Sequence, residues 1–313
     1  MTATISICIP CYKSERYIRT TIESVLAQTV PATEILISDD RSPDRSFEIV
    51  KEYEGFPRVR IMRPPHRTTL GGHYRFLLEQ STSDYVCFLS SDDALMPHFV
   101  ETMQREVNNE DNIGMVAAAC LECNSKLIPT RLRGGGLPKE VFEPPNGFHH
   151  FKRGNTYTIS VSVLSRKILI NTPPIPPQGD LATDWCWSML LGAKGKIKFV
   201  RKPLGYYRIH TTNAGHNNED AWQKATAEML VFLKDYFELE LGNELEKPLQ
   251  RIRGQIEKRH RGETEEIAER AFTVRVNDFA KILIAFRYRW LSRTIRKAEK
   301  GTSVTLERAR GRA

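Results

Sequence analysis

Asp39-Asp40 follows the apolar run Ile35-Leu36-Ile37, and Asp92-Asp93 comes just after Val86-Cys87-Phe88-Leu89. Short apolar runs of this kind read as buried strands, and in an open parallel sheet the carboxyl ends of the strands converge on one ligand-binding edge. Folding would therefore gather four carboxylates from distant parts of the chain. So placed, they repel one another, and a hard divalent cation such as Mg2+ or Mn2+ would relieve the repulsion while bridging two phosphate oxygens of a ligand. A nucleoside diphosphate supplies such oxygens. The same aspartates could instead cap local structure, Asp39-Asp40 at the Ser42 turn and Asp92-Asp93 before a helix at Pro97.

The elements that must carry these residues are readable from periodicity. Ile5 to Ile9 reads as a first strand, and Ser14 can cap a helix whose apolar face is Ile18, Ile22, Val25 and Leu26. Glu34 to Ser38 is a second strand, Ser42-Pro43 is expected to open a helix with proline at its first position, and Val59 to Met62 is a third strand. A helix after Gly71-Gly72 through Gln80 leads to a strand at Tyr85 to Leu89, and Pro97 opens the next helix. This alternation predicts an α/β fold with a mainly parallel sheet flanked by helices. Residues 129–156, with Gly134-Gly135-Gly136, Pro138, Pro144-Pro145 and Gly147, are expected to form long loops outside the core, and a run of this kind can serve as a mobile cover. Beyond the proline-rich stretch Thr172 to Gly179, a helix is expected from Trp185 to Ala193, a strand from Ile197 to Val200 and a long helix from Asp220 to Leu241.

Charge divides the chain at the same place. Residues 1–241 hold 28 Lys and Arg against 28 Asp and Glu, whereas 242–313 hold 18 against 10, so the formal net charge of +8 belongs entirely to the tail. Two units are expected: a catalytic-type α/β domain over 1–241 and a basic helical extension over 242–313. In the extension, Phe279, Ile282, Leu283, Phe286, Trp290 and Leu291 can share one helix face while Arg287, Arg289, Arg293, Arg296 and Lys297 crowd the rest. Such a helix suits peripheral contact with anionic lipid, packing on its own domain, or contact with a second copy in a homo-oligomer. Without a recognisable nucleic-acid motif, and with 10 acidic residues in the extension, nucleic acid is the least fitting partner. No run approaches the roughly 18 apolar residues of a membrane span, and the chain enters a strand pattern directly after Thr2, so a cytoplasmic location is expected. Of the six cysteines, Cys8, Cys87, Cys120 and Cys186 lie within apolar or aromatic runs and read as small buried hydrophobes; Cys120 and Cys123 lack a second pair at structural-zinc spacing.

Four segments, Ile9-Pro10-Cys11-Tyr12-Lys13, Ser24-Val25-Leu26-Ala27-Gln28-Thr29, Ile37-Ser38-Asp39-Asp40-Arg41-Ser42 and Phe88-Leu89-Ser90-Ser91-Asp92-Asp93, in this order resemble the signature of family 2 glycosyltransferases. The resemblance continues more weakly through Thr183-Asp184-Trp185 and Tyr207-Arg208-Ile209-His210, and covers roughly residues 4–216. It implies a GT-A fold and inverting transfer of a sugar from a nucleoside-diphosphate-sugar donor to an acceptor hydroxyl. A saccharide or lipid-linked saccharide of surface polysaccharide or glycolipid synthesis is the implied acceptor. By position, Pro10 and Tyr12 would border the nucleoside, Asp40 with Asp39 beside it would accept a hydrogen bond from the base, and Arg75 would lie near the diphosphate. Asp93 would be the principal ligand of a divalent cation, Mg2+ or Mn2+, with Asp92 contacting ribose or metal. His210 would complete the metal shell or touch the diphosphate, and Arg208 would offset charge on the leaving group. Asp184 would be the general base, since an attacking hydroxyl must lose its proton; a helix cap is its structural alternative. Ser90 stands where many members carry the first aspartate, and Thr183 where they carry glutamate.

Two other readings are compatible with parts of the pattern. A nucleotide-sugar-binding protein without turnover would keep Asp40 and Asp93 and need no base. A lipid-surface protein would work through its basic tail, with the α/β part as scaffold. A nucleotidyltransferase fits less well, because residues 10–14, Pro-Cys-Tyr-Lys-Ser, lack a Gly-rich phosphate loop.

Overall fold

The computed structural model describes residues 2–210, 219–237, 241–260 and 273–274. The amphipathic segment from Phe279 to Lys297, and with it the lipid and second-copy expectations, lies outside the described residues. In chain order the elements are β1 (Ile5–Cys11), α1 (Ile18–Leu26), β2 (Glu34–Asp39), α2 (Ser46–Lys51), β3 (Val59–Met62), α3 (Leu70–Gln80), β4 (Tyr85–Phe88), β5 (Ala94–Leu95) and α4 (Phe99–Asn108). There follow β6 (Ile113–Cys123), β7 (Pro129–Arg133), α5 (Asn146–Phe151), β8 (Ser162–Ser165), α6 (Arg166–Ile170), α7 (Thr183–Lys194), β9 (Lys196–Arg208), α8 (Glu219–Phe237), α9 (Glu246–His260) and the short β10 (Thr273–Val274).

The strands form one sheet in the order β10-β7-β6-β8-β4-β1-β2-β3, with β9 alongside β6 and β5 paired to β9. The expected parallel arrangement holds for β3-β2-β1-β4 and for β6 with β9. Antiparallel pairs join β8 to β4 and β6, β7 to β6, and β5 to β9, so the sheet is mixed beyond β4. Every residue of β1, β2 and β6 is buried, as expected of strands covered on both faces. Successive side chains enter opposite layers. Ile5, Ile7 and Ile9 pack with Ile18, Ile22, Val50, Phe99 and Met103 from α1, α2 and α4 on one face, whereas Cys8 joins Leu77, Phe148, Trp187, Met229 and Leu249 from α3, α5, α7, α8 and α9 on the other. All six cysteines are buried and unbridged.

Three local expectations are corrected. Ser14 does not cap α1 through its side chain; its carbonyl accepts from the amides of Tyr17 and Ile18, and its hydroxyl shares a 2.6 Å hydrogen bond with Ser91. The Ser42-Pro43 helix begins only at Ser46, where Asp44 Oδ1 receives both the amide and the hydroxyl of Ser46. Residues 129–156 are not loops throughout: they contain β7 and α5, and Phe148 and Phe151 are fully buried. The physical reason lies in Gly147. A Cβ there would stand 2.7 Å from Gly192 Cα in α7, so this glycine lets two helices touch backbone to backbone.

Candidate functional site

The ends of β1, β2 and β4 build one edge. Asp40 N–H donates to Cys11 O and Leu89 N–H to Cys8 O, both at 2.9 Å, which carries the turns after β2 and β4 to either side of β1. Thr21 of α1 supports the second turn from below, its hydroxyl lying 2.9 Å from Ser91 O and 2.7 Å from Asp93 O.

Asp93 is fully buried. Its Oδ1 accepts the Arg208 amide at 2.8 Å and its Oδ2 the Ser160 hydroxyl at 2.6 Å. Burial, reinforced by the adjacent Asp92 carboxylate, nevertheless pushes its pKa up to about 8, against the lowering effect of those two hydrogen bonds and the Arg208 cation. Ser160 Oγ also lies 3.1 Å from Ser90 Oγ and accepts the Ser90 amide at 3.3 Å, so the serine at the first motif position belongs to the same network. Asp92 Oδ2 lies 2.9 Å from His210 Nε2, and the imidazole packs on the Tyr17 ring with centroids 4.9 Å apart. Arg208, at the end of β9, is buried over that same tyrosine at 4.4 Å and donates to the carbonyls of Asp92 and Ser125. β9 thus delivers Arg208 and His210 to the Asp92-Asp93 turn.

At the β2 end, Asp39 is fully buried and receives the Arg63 guanidinium through Nε at 2.9 Å and Nη2 at 2.7 Å. Asp39 also accepts the Ser42 amide at 3.2 Å, so the turn-capping use foreseen for this pair is real at Asp39. Asp40 Oδ1 accepts the Thr68 amide at 2.9 Å. Pro10 is buried in β1 opposite Ser38, and the Tyr12 ring beyond it lies beneath the Arg67 guanidinium at 4.2 Å. His73 is buried with Nε2 2.8 Å from Ser38 Oγ; desolvation pulls its pKa down despite the pull upward from Asp40 and Asp39.

Asp184 lies in the first turn of α7. The helix is capped by Ala182 without a side-chain bond, and Asp184 Oδ1 accepts the Trp185 amide at 2.8 Å. Its Oδ2 accepts from Asn155 Nδ2 at 2.8 Å, while its carbonyl takes the Tyr157 hydroxyl at 2.7 Å. Burial raises the carboxyl's pKa; the Trp185 amide, Asn155 and the Arg133 cation hold it down. Thr183 is buried and turned away, donating to Asp180 O at 2.5 Å. The buried Tyr74 phenol feels Asp184, Asp92 and Asp93 together, and its pKa is raised far beyond the usual range by desolvation and then by these three. One short segment holds both carboxylates, Asn155 donating to Asp184 and Ser160 to Asp93. The Arg75 guanidinium binds Glu79 at 2.7 Å and the Thr172 carbonyl at 2.9 Å, just past the end of α6.

Ser160, Asn155 and Arg133 were absent from the sequence-derived set. They sit in or beside the stretch expected to be irregular, and no motif marks them. Among the described residues no three His, Cys, Asp or Glu side chains are grouped so as to enclose a metal by themselves. The half-buried Asp92, paired with His210 Nε2, and Asp93 in the same turn offer the oxygen and nitrogen donors that a divalent cation takes when ligand oxygens complete its shell.

A GT-A sheet with paired aspartates in the turn after β4 is the architecture of a glycosyltransferase. The chain belongs to glycosyl transferase family 2, whose model matches residues 6–165. An uncharacterised glycosyltransferase of Nostoc sp. is 29% identical over 72% of this chain and 69% of its own length. A hyaluronan synthase of Pasteurella multocida is 34% identical over 66% of this chain, which spans only 20% of that enzyme. Among solved structures, S. aureus TarS in complex with UDP-GlcNAc superposes with a TM-score of 0.60 at 18% identity, covering 83% of this chain and 73% of that one.

Proposed function

We propose that this chain transfers a sugar from a nucleoside-diphosphate-sugar donor, with UDP as its nucleotide, to a hydroxyl of a saccharide acceptor, with inversion at the anomeric carbon. The observation that carries this reading is that one short segment, Asn155 to Ser160, hydrogen-bonds both Asp184 and Asp93. Relatives that include a hyaluronan synthase and a structural neighbour bound to UDP-GlcNAc support the donor class and a role in polysaccharide synthesis. Pro10, Tyr12, Asp39 and Asp40 hold the nucleoside, with Asp40 as acceptor for the base.

A Mg2+ or Mn2+ ion held by Asp93, Asp92 and His210 together with the diphosphate would neutralise charge on the leaving nucleoside diphosphate. Arg208 fixes the backbone of that turn and adds positive charge beneath it. Asp184 takes the proton of the attacking hydroxyl; its raised pKa makes it a stronger base than an ordinary aspartate, and Asn155 aims it. Replacing Asp184 by Asn is expected to lower the transfer rate about 10²–10⁴-fold while UDP affinity is retained. Undiminished transfer would remove Asp184 from this role, and binding without turnover in the wild type would favour a non-catalytic nucleotide-sugar receptor.

A further inference from the structure

Trp222 lies in the first turn of α8 with 37% of its surface exposed, an unusual exposure for the largest apolar side chain. Its indole is parallel to that of Trp185, the planes within 4° and the centroids 5.9 Å apart. Trp185 is buried and pinned, its Nε1–H donating to Phe151 O at 2.7 Å, and it directly follows Asp184. The middle of α8 is held against the segment that leads into α7. A Cβ on Gly179 would stand 3.1 Å from Met229 N, so the helix approaches that segment at backbone distance.

An exposed indole stacked on a rigid Trp185, itself the residue after the proposed base, matches the chemistry of a sugar ring. The C–H face of a pyranose packs on indole. We infer that Trp222, backed by Trp185, is the platform for the acceptor saccharide. This assignment rests on the reading of Asp184 as base, and it makes Trp222 a specificity-determining residue for the acceptor and not the donor. A purely structural stack, stapling α8 to α7, is the competing use of the same geometry.

The full chain, loaded with UDP, is titrated with chitotetraose and with hyaluronan and chondroitin tetrasaccharides, following tryptophan fluorescence and calorimetry. At least one of these is expected to bind, and Trp222→Ala to weaken it by about tenfold or more, with UDP affinity and melting temperature unchanged. Trp222→Phe should recover most of the affinity, since an aromatic face remains. Equal saccharide affinity in Trp222→Ala, binding of none of the three probes by the wild type, or a parallel loss of melting temperature and UDP affinity would overturn the assignment. Asp184→Asn separates this from the base reading: it should keep saccharide binding while transfer collapses, and if transfer persists, the base is reassigned while the binding data still judge Trp222.

Discussion

Asp184 illustrates how one carboxylate is tuned by its neighbours. Burial raises its pKa, and Asn155 and Arg133 each pull it back. A general base must be ionised, so activity is expected to fall as pH drops through that raised value. Removing either restraint, by Asn155→Ala or Arg133→Gln, should move the acid limb of the kcat/KM profile to higher pH; a limb that stays in place in both variants would show that Asp184 is not the titrating group. Asp93, Asp92, Arg208 and His210 were legible because each stands in a recognisable word of sequence. Ser160 was not, since its partnership with Asp93 spans 67 residues and exists only after β8 is brought beside β4 and β6. Nothing in the sequence neighbourhood of Arg75 revealed that its guanidinium would bind the Thr172 carbonyl past the end of α6.

The glycines of the middle region act by the side chain they lack. Gly147 and Gly192 face one another where α5 crosses α7, and a Cβ on Gly192 would lie 2.4 Å from Gly147 C and 2.5 Å from Phe148 N. Both obstacles are backbone, so α5 would have to move away from α7 and the base it carries. Gly192→Ala is therefore expected to destabilise the fold by about 1–3 kcal/mol in denaturant melts and to lower transfer as well. A melt matching the wild type would mean that the helices can separate freely. This contact explains why the stretch 129–156 misleads when read locally. Glycine and proline there look like breakers, yet Phe148 and Phe151 fill the core once α5 packs. The early β-α units were read well because their apolar spacing is a local signal; the start of α2 was missed because Asp44, not Pro43, organises its first turn.

Across the whole molecule, the formal charge excess lies beyond residue 241, while the carboxylates that would meet a diphosphate lie on an otherwise balanced α/β domain. We therefore expect donor binding to be a property of the sheet edge and to demand a cation there. Calorimetric titration of the full chain with UDP, with and without Mn2+, addresses this directly. UDP is expected to bind with Mn2+ present, to bind far more weakly without it, and to lose the Mn2+ effect in Asp93→Asn. Binding should also tighten from about pH 6 to about pH 8, because the cation replaces a proton that burial otherwise keeps on Asp93. UDP binding that is absent in every condition, or that is indifferent to both Mn2+ and Asp93, would contradict a metal-assisted nucleotide-sugar site at the ends of β1, β2 and β4.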